Sequence, residues 1–532
     1  MNVRESKQLS VALWAVWCIA CLVFFQGFYC HHLFFNEQNH LFVYTWDQFT
    51  SYFQRPASLA CLTGDFLTQF YYYPFAGPVV LTVSLWVTAL LFYFTCRRMG
   101  ASKLIATLLA LVVGSVEMTT FFDARHDLSS LMALAMGFTA FLLTATKSHH
   151  KRWYPVLVYP LTAAATYWMA GYGVWATLAL WVVDMVCNRH KNRYYLMAWM
   201  LAFALTSMVA WIATEACTMS GRAAVTTPGI GSVSMPDFDL ENDFAAYNNH
   251  YFGREQSIIA TVEQSKNPSP LQTLFYNMAV AKEGRLPDIL LSHQPTELGT
   301  LYSIGPTTPK LIINTMSDLY WTLGDMTYAE RAALMASTFS PRNHNVRMIK
   351  RMAEVNLVTG DTLAACKFLD ILANTLAYRT WAVNHHPATM TEAVKQQIID
   401  KRQWINTMDT LRIGDHCRTI LRELVQSNIA NIVALDYLLC TDLQICDLPA
   451  FKSDYDQFCM ANDKPRLKPL YQQALCICLE VEQADLDTWK RYIKLPEVLT
   501  SWRSYNDNPT SAIHSGTYWR YYDSAPKKDS LP

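Results

Sequence analysis

The sequence predicts an all-α protein, a seven-span helical membrane domain followed by an extracytoplasmic helical-repeat domain. Three observations predict it. The 532 residues are 52% hydrophobic and only 16% charged, against about 25% charged in average usage. The charges almost avoid seven stretches within residues 1–215 and return afterwards. From residue 239 onward apolar residues recur at helical spacing, and strand-like alternation is nearly absent. Lys+Arg 43 balances Asp+Glu 43, which excludes a global basic field for nucleic acid. With 13% aromatic residues and no long polar tract, the chain is not a disordered one.

Residues 9–29, 78–96, 128–145, 153–170 and 194–214 carry no charge. Two further apolar stretches hold one acid each, 104–122 with Glu117 and 171–187 with Asp184. A membrane span needs about 17–25 mainly apolar residues, so seven spans are expected. Only Gly171-Tyr172-Gly173 separates the fifth from the sixth, which makes them either a tight hairpin or one distorted unit. The first stretch is read as a signal anchor. Its 21 uncharged residues are long for a signal-peptide core, and no A-x-A site follows.

Lys and Arg near span ends set orientation. Arg4, Lys7, Arg97, Arg98, Lys103, Lys147, Lys151, Arg152, Arg189, Lys191 and Arg193 fall on one side, and Arg55 and Arg125 on the other. This places the N-terminus in the cytoplasm and everything after about residue 215 outside, in the periplasm if the source is bacterial. The 14 cysteines show no zinc-site spacing. Those from Cys440 to Cys478 are read as buried thiols in helices, with disulfides the alternative in an oxidising compartment.

Residues 216–238 are small, polar and turn-rich, and read as a linker. Residues 239–506 read as the helical-repeat domain, and 507–532 as a partly flexible tail. Three helical stretches end at Gly284, Gly324 and Gly360, and Gly suits the left-handed position that closes a helix. The last two glycines precede Ala-rich helices, YAERAALMAS and TLAACKFLDIL. With Gly360, Ala364 and Ala365 at small contact positions, residues 352–376 resemble a tetratricopeptide repeat, whose period is about 34 residues. That resemblance implies a superhelix offering a concave surface to a protein partner.

The outside loop 30–77 is far longer than the usual ~2–8-residue helix connection. It is rich in Phe, Tyr and Trp, as befits a segment lying in the lipid headgroup layer. It carries Glu37, Asp47 and Asp65, with Gln69 close behind. The same side holds Asp123, Arg125 and Asp127, and Glu117 sits near the outer end of its span. Interfacial and intramembrane acids are candidates for function. Plainer roles compete: Glu37 and Asp47 as solvated or capping acids, Asp65 as a helix cap after Gly64, Arg125 and Asp127 as a loop ion pair.

This layout resembles the GT-C class of membrane glycosyltransferases. The run Phe35-Asn36-Glu37-Gln38-Asn39-His40 looks like the acid pair that class places after its first span, with Asn36 where an Asp is common. The run Gly64-Asp65-Phe66-Leu67-Thr68-Gln69-Phe70 is a second match. The resemblance implies Glu37 and Asp65 as catalytic residues and a polyprenyl-phosphate-linked sugar as donor. An acid there acts as general base toward an acceptor hydroxyl, or holds a divalent cation beside the donor phosphate. The chain also looks like an uncharacterised family of multi-spanning membrane proteins with helical tails. No phosphate loop, dinucleotide fingerprint, G-x-S-x-G or H-E-x-x-H is present. Two classes of function remain: a lipid-linked sugar transferase at the outer face, and a membrane-anchored scaffold whose repeats bind an extracytoplasmic partner.

Overall fold

The computed structural model describes residues 3–145, 154–187, 193–292, 309–340, 345–406, 417–461 and 465–525. Among them every regular element is a helix. The basic residues Lys147, Lys151, Arg152, Arg189 and Lys191, on which part of the orientation rests, lie outside the described residues.

A helix occupies each of the seven apolar stretches: α1 (Val3–Gly27), α5 (Ala76–Arg98), α6 (Lys103–Thr120), α7 (Leu128–Ala145), α8 (Tyr154–Ala170), α9 (Gly173–Cys187) and α10 (Arg193–Ala216). Between the first two come α2 (His31–Gln38), α3 (Trp46–Tyr52) and α4 (Ser58–Thr68). After α10 follow α11 (Gly221–Thr226) and α12 (Phe238–Tyr251). Four of the described helices are long and apolar enough to cross a membrane: Gln8–Gly27, Ala76–Arg98, Lys103–Thr120 and Tyr194–Ala216. Leu128–Thr144 and Gly173–Cys187 are apolar but shorter. At 1.5 Å per residue, the 15 residues of α9 reach about 22 Å, against a hydrocarbon core of about 30 Å.

The chain divides into two compact units. The first is Met1–Phe244 with two returning segments, His344–Arg347 and Asp370–Ala382. It therefore extends past residue 215 and draws in parts of the stretch 239–506. Residues 216–238 run along this unit's own helices. Tyr167 Oη donates to the Ala224 carbonyl at 2.8 Å, Tyr172 N to Thr227 O at 2.8 Å, and Ser234 Oγ to Thr119 O at 3.0 Å. Carbonyls near the end of α11 need donors when they leave water, and Tyr167 and Tyr172 supply two, while Ser234 in turn donates to the last turn of α6.

The loop between α1 and α5 is folded. Buried Glu241, on α12, accepts the backbone N–H groups of His31 and His32, a carboxylate at the positive end of α2. Thr45 caps α3 through its side chain. Gly64 lets α4 lie directly on the backbone of Ser129 in α7, where any Cβ would overlap.

The second unit is Ala245–Asn343, Met348–Leu369 and Val383–Pro532. Its helix pairs turn on a Gly-Asp step. Gly324 takes φ +85° at the end of Lys310–Leu323, and the Asp325 side chain accepts from Tyr328 N to open Met326–Thr338. Gly360, at φ +97°, and Asp361, which accepts from Ala364 N, do the same between Val346–Thr359 and Thr362–Ala373. Buried acids tie helices together, as in Asp318 to Arg351 at 2.8 Å and Asp454 to Arg422 at 2.8 Å. All 14 cysteines are free thiols. Burial pushes Cys459 and Cys476 up to about 12, which leaves them protonated and unreactive at neutral pH.

Candidate functional site

Within the first unit the predicted acids Glu37 and Asp65 line one crevice with Gln69 and His40. Glu37 projects from α2 and Asp65 from α4, and each is about 95% buried or more. Their partners differ. Glu37 Oε2 accepts from Tyr378 Oη at 2.8 Å, and Tyr378 belongs to the returning segment Asp370–Ala382. Asp65 Oδ2 accepts from Tyr52 Oη at 2.7 Å. His40 stands between two carboxylates, with Nδ1 3.8 Å from Asp65 Oδ1 and Nε2 3.0 Å from Asp127 Oδ1. A row Tyr52–Asp65–His40–Asp127 results.

Burial raises the Glu37 carboxyl to about 8 against an ordinary 4.5, with the Tyr378 hydrogen bond and His40 opposing. At neutral pH it therefore keeps its proton in most molecules, unusual for a glutamate and characteristic of groups used in proton transfer. The crevice itself is tight, about 10 Å³, room for a single water. Two segments hold it closed. Residues 375–378 form one wall, and Asn374 O accepts from Tyr44 N at 2.8 Å. Asn345 Nδ2 donates to Asn39 Oδ1 at 3.2 Å.

Beside the crevice lies an apolar groove of about 570 Å³, lined chiefly by Phe42, Tyr44, Trp46, Phe49, Tyr52 and Phe66. Ligand pockets usually measure about 300–1,000 Å³. The groove and crevice share Phe42. Two groove tyrosines also reach crevice residues, Tyr52 to Asp65 and Tyr44 Oη to Gln69 Oε1 at 3.0 Å. On α3, Trp46, Phe49 and the following Phe53 are exposed on one side of the turn, the pattern of a membrane-interface aromatic belt.

Of the other predicted residues, Asp127 ends this row and the rest lie apart from it. Asp123, Arg125 and Asp127 line a second, polar cavity of about 150 Å³. Asp47 is exposed in the first turn of α3, where an acid favours the helix N-terminus. Glu117 lies on α6 and lines neither crevice nor polar cavity. Among the described residues no group of three or more His, Cys, Asp or Glu is placed to hold a metal ion. Asp65 and Asp127 are engaged by Tyr52 and His40 instead. The donor set does not fit the divalent cation that the resemblance implies.

Sequence reasoning passed over His40, Tyr44, Tyr52 and Tyr378 as functional partners. His40 had a signal, three residues after Glu37 and just past the end of α2. Tyr378 had none, being 341 residues away from Glu37.

The profile of DUF6057, a family of unknown function, matches residues 5–525. The chain belongs to this family. It has no significant match among curated proteins or among solved structures. Membership thus extends over the apolar helices and the tail together and assigns no activity, so the chemistry of the site has to come from its own residues.

Proposed function

We propose that this multi-pass membrane protein is a GT-C-like transferase, taking sugar from a polyprenyl-phosphate donor at the outer face. In this reading seven helices span, the N-terminus is cytoplasmic, and both the 30–77 loop and the tetratricopeptide-like tail are extracytoplasmic. One observation supports it above the others: a lipid-sized aromatic groove adjoins a buried carboxyl, histidine and carboxylate row in the same loop. The groove takes the apolar chain. Asp65, oriented by Tyr52 and His40, accepts the proton of the acceptor hydroxyl. That oxygen bonds to the anomeric carbon as the bond from this carbon to the donor phosphate oxygen breaks. The electron pair leaves with polyprenyl phosphate, toward which protonated Glu37 donates a hydrogen bond.

The second reading is a non-catalytic scaffold that binds a protein through its helical tail. The tightness of the crevice favours it, since a sugar enters only if residues 375–378 move. Sugar transfer from a lipid-linked donor in reconstituted membranes separates the two. Asp65→Asn should lower transfer by on the order of 10²–10⁴, Glu37→Gln, which keeps a neutral hydrogen-bond donor, should lower it less, and Asp47→Asn should leave it near wild type. Full activity in the Glu37→Gln/Asp65→Asn double variant removes both residues from catalysis. Absence of transfer by the wild type, with one specific protein partner held by the tail, establishes the scaffold.

A further inference from the structure

The polar cavity beyond Asp127 is not used by the steps above, yet it is built like a binding site. Its floor is the turn between α6 and α7, and its opposite wall is the Pro228–Ser232 backbone. The wall is preformed, since Gly231 lies so close that a Cβ would come within 2.6 Å of His126 Cε1 and Thr120 Cβ. His126 lines the cavity, is 8% exposed, and has no hydrogen-bond partner at Nε2. A buried imidazole nitrogen left unpaired is unfavourable, and a ligand hydroxyl that reaches it relieves this. At about 150 Å³ the cavity holds about five waters, and a monosaccharide ring fills a comparable space.

The lining chooses among ligand classes. Asp123 and Asp127 face one cation, Arg125. Burial lowers the His126 pKa, with Asp127 and Asp123 opposing, so the ring adds no positive charge at neutral pH. An anion meets a net negative wall here. Carboxylates, a guanidinium and a neutral imidazole instead pair well with ligand hydroxyls, which both donate and accept. The cavity is also connected to the crevice, because Asp127 lines it and accepts from or shares a proton with His40 Nε2 at 3.0 Å. The row therefore runs from apolar groove to polar cavity.

We propose that the cavity formed by Asp123, Arg125, His126, Asp127 and Pro228–Ser232 is a subsite for a neutral, monosaccharide-sized polyhydroxylated ligand. It deepens the transferase reading and rests on that reading for its place in a reaction. The test is ligand-observed NMR on the full chain in nanodiscs, with glucose, mannose and galactose as probes and inorganic phosphate as the anionic comparison. At least one hexose should bind. Ser232→Trp, at an exposed rim position, should abolish the signal. His126→Phe and Arg125→Gln should each weaken binding about tenfold, the scale of one lost hydrogen bond. Arg125 is exposed, so its variant tests the site even if Ser232→Trp fails to fold.

No hexose binding to the wild type overturns the assignment. So does hexose binding that ignores all three substitutions, or phosphate binding that they abolish. The transfer assay keeps the two proposals apart. Hexose binding without transfer retires the transferase reading and leaves the subsite. Transfer that survives in a folded Ser232→Trp variant retires the subsite and leaves the transferase.

Discussion

Replacing Glu37 by Gln should change stability in a pH-dependent way, and the sign follows from burial. The Glu37 carboxyl ordinarily titrates at 4.5 and is raised to about 8 in the folded chain. Below pH 4.5 it is protonated whether folded or unfolded. Between these values the unfolded chain releases the proton while the folded chain keeps it, so wild-type stability falls as pH rises. The slope is at most about 1.4 kcal/mol per pH unit. Across the window from 4.5 to about 8 the loss has an upper bound of about 5 kcal/mol. Gln is the same size, never charges, and still accepts from Tyr378 Oη. The variant should therefore match wild type near pH 5 and exceed it by a few kcal/mol at pH 8. Thermal unfolding in detergent, followed with a thiol-reactive dye on buried Cys21 and Cys96, reads the difference. An equal difference at both pH values, or a variant less stable than wild type at pH 8, refutes the reasoning. Combined with lost transfer, a gain in stability would mark Glu37 as a strained functional group.

Two further predictions concern the tail and the topology. Gly360→Ala should destabilise by about 1 kcal/mol, the cost of a side chain at a left-handed position. Gly324→Ala should cost more, about 2–4 kcal/mol with the added overpacking, because its Cβ would approach Trp404 O to 2.5 Å and Asn431 Nδ2 to 2.8 Å. Urea unfolding followed by circular dichroism measures both, and equal losses would discard the overlap as a cause. For topology, a reporter fused after residue 216 should be active only outside the cytoplasm; activity confined to the cytoplasm would overturn the outer-face site.

The positions of the helices were legible in the sequence because they answer to local rules. Seven stretches nearly free of charge each became a helix, since a long apolar run can satisfy its backbone only internally once it leaves water. The helix ends at Gly324 and Gly360 were legible for a similar reason, while the caps by Asp325 and Asp361 were not read. Glycine tolerates positive φ, and the aspartate that follows caps the next helix within three residues. The site was legible in part. Acids at 37 and 65 in one aromatic loop were visible as candidates, but nothing local distinguishes buried Glu37 from exposed Asp47.

Tertiary structure decided that difference. Glu37 lost its water because Tyr378 and the segment around it close over α2, and desolvation sets which carboxyl holds a proton. It also joined Asp65 to Asp127 through His40, residues on three different helices or turns. Residues 216–238 read as a linker from composition, yet packing gave their carbonyls partners on Tyr167, Tyr172 and Trp175. Sequence alone determined which segments form helices and where they stop, because capping, backbone freedom and apolar runs act over a few residues. Which acids are desolvated, and which polar groups they meet, depends on chain segments hundreds of positions apart, and only the packed structure brings those together.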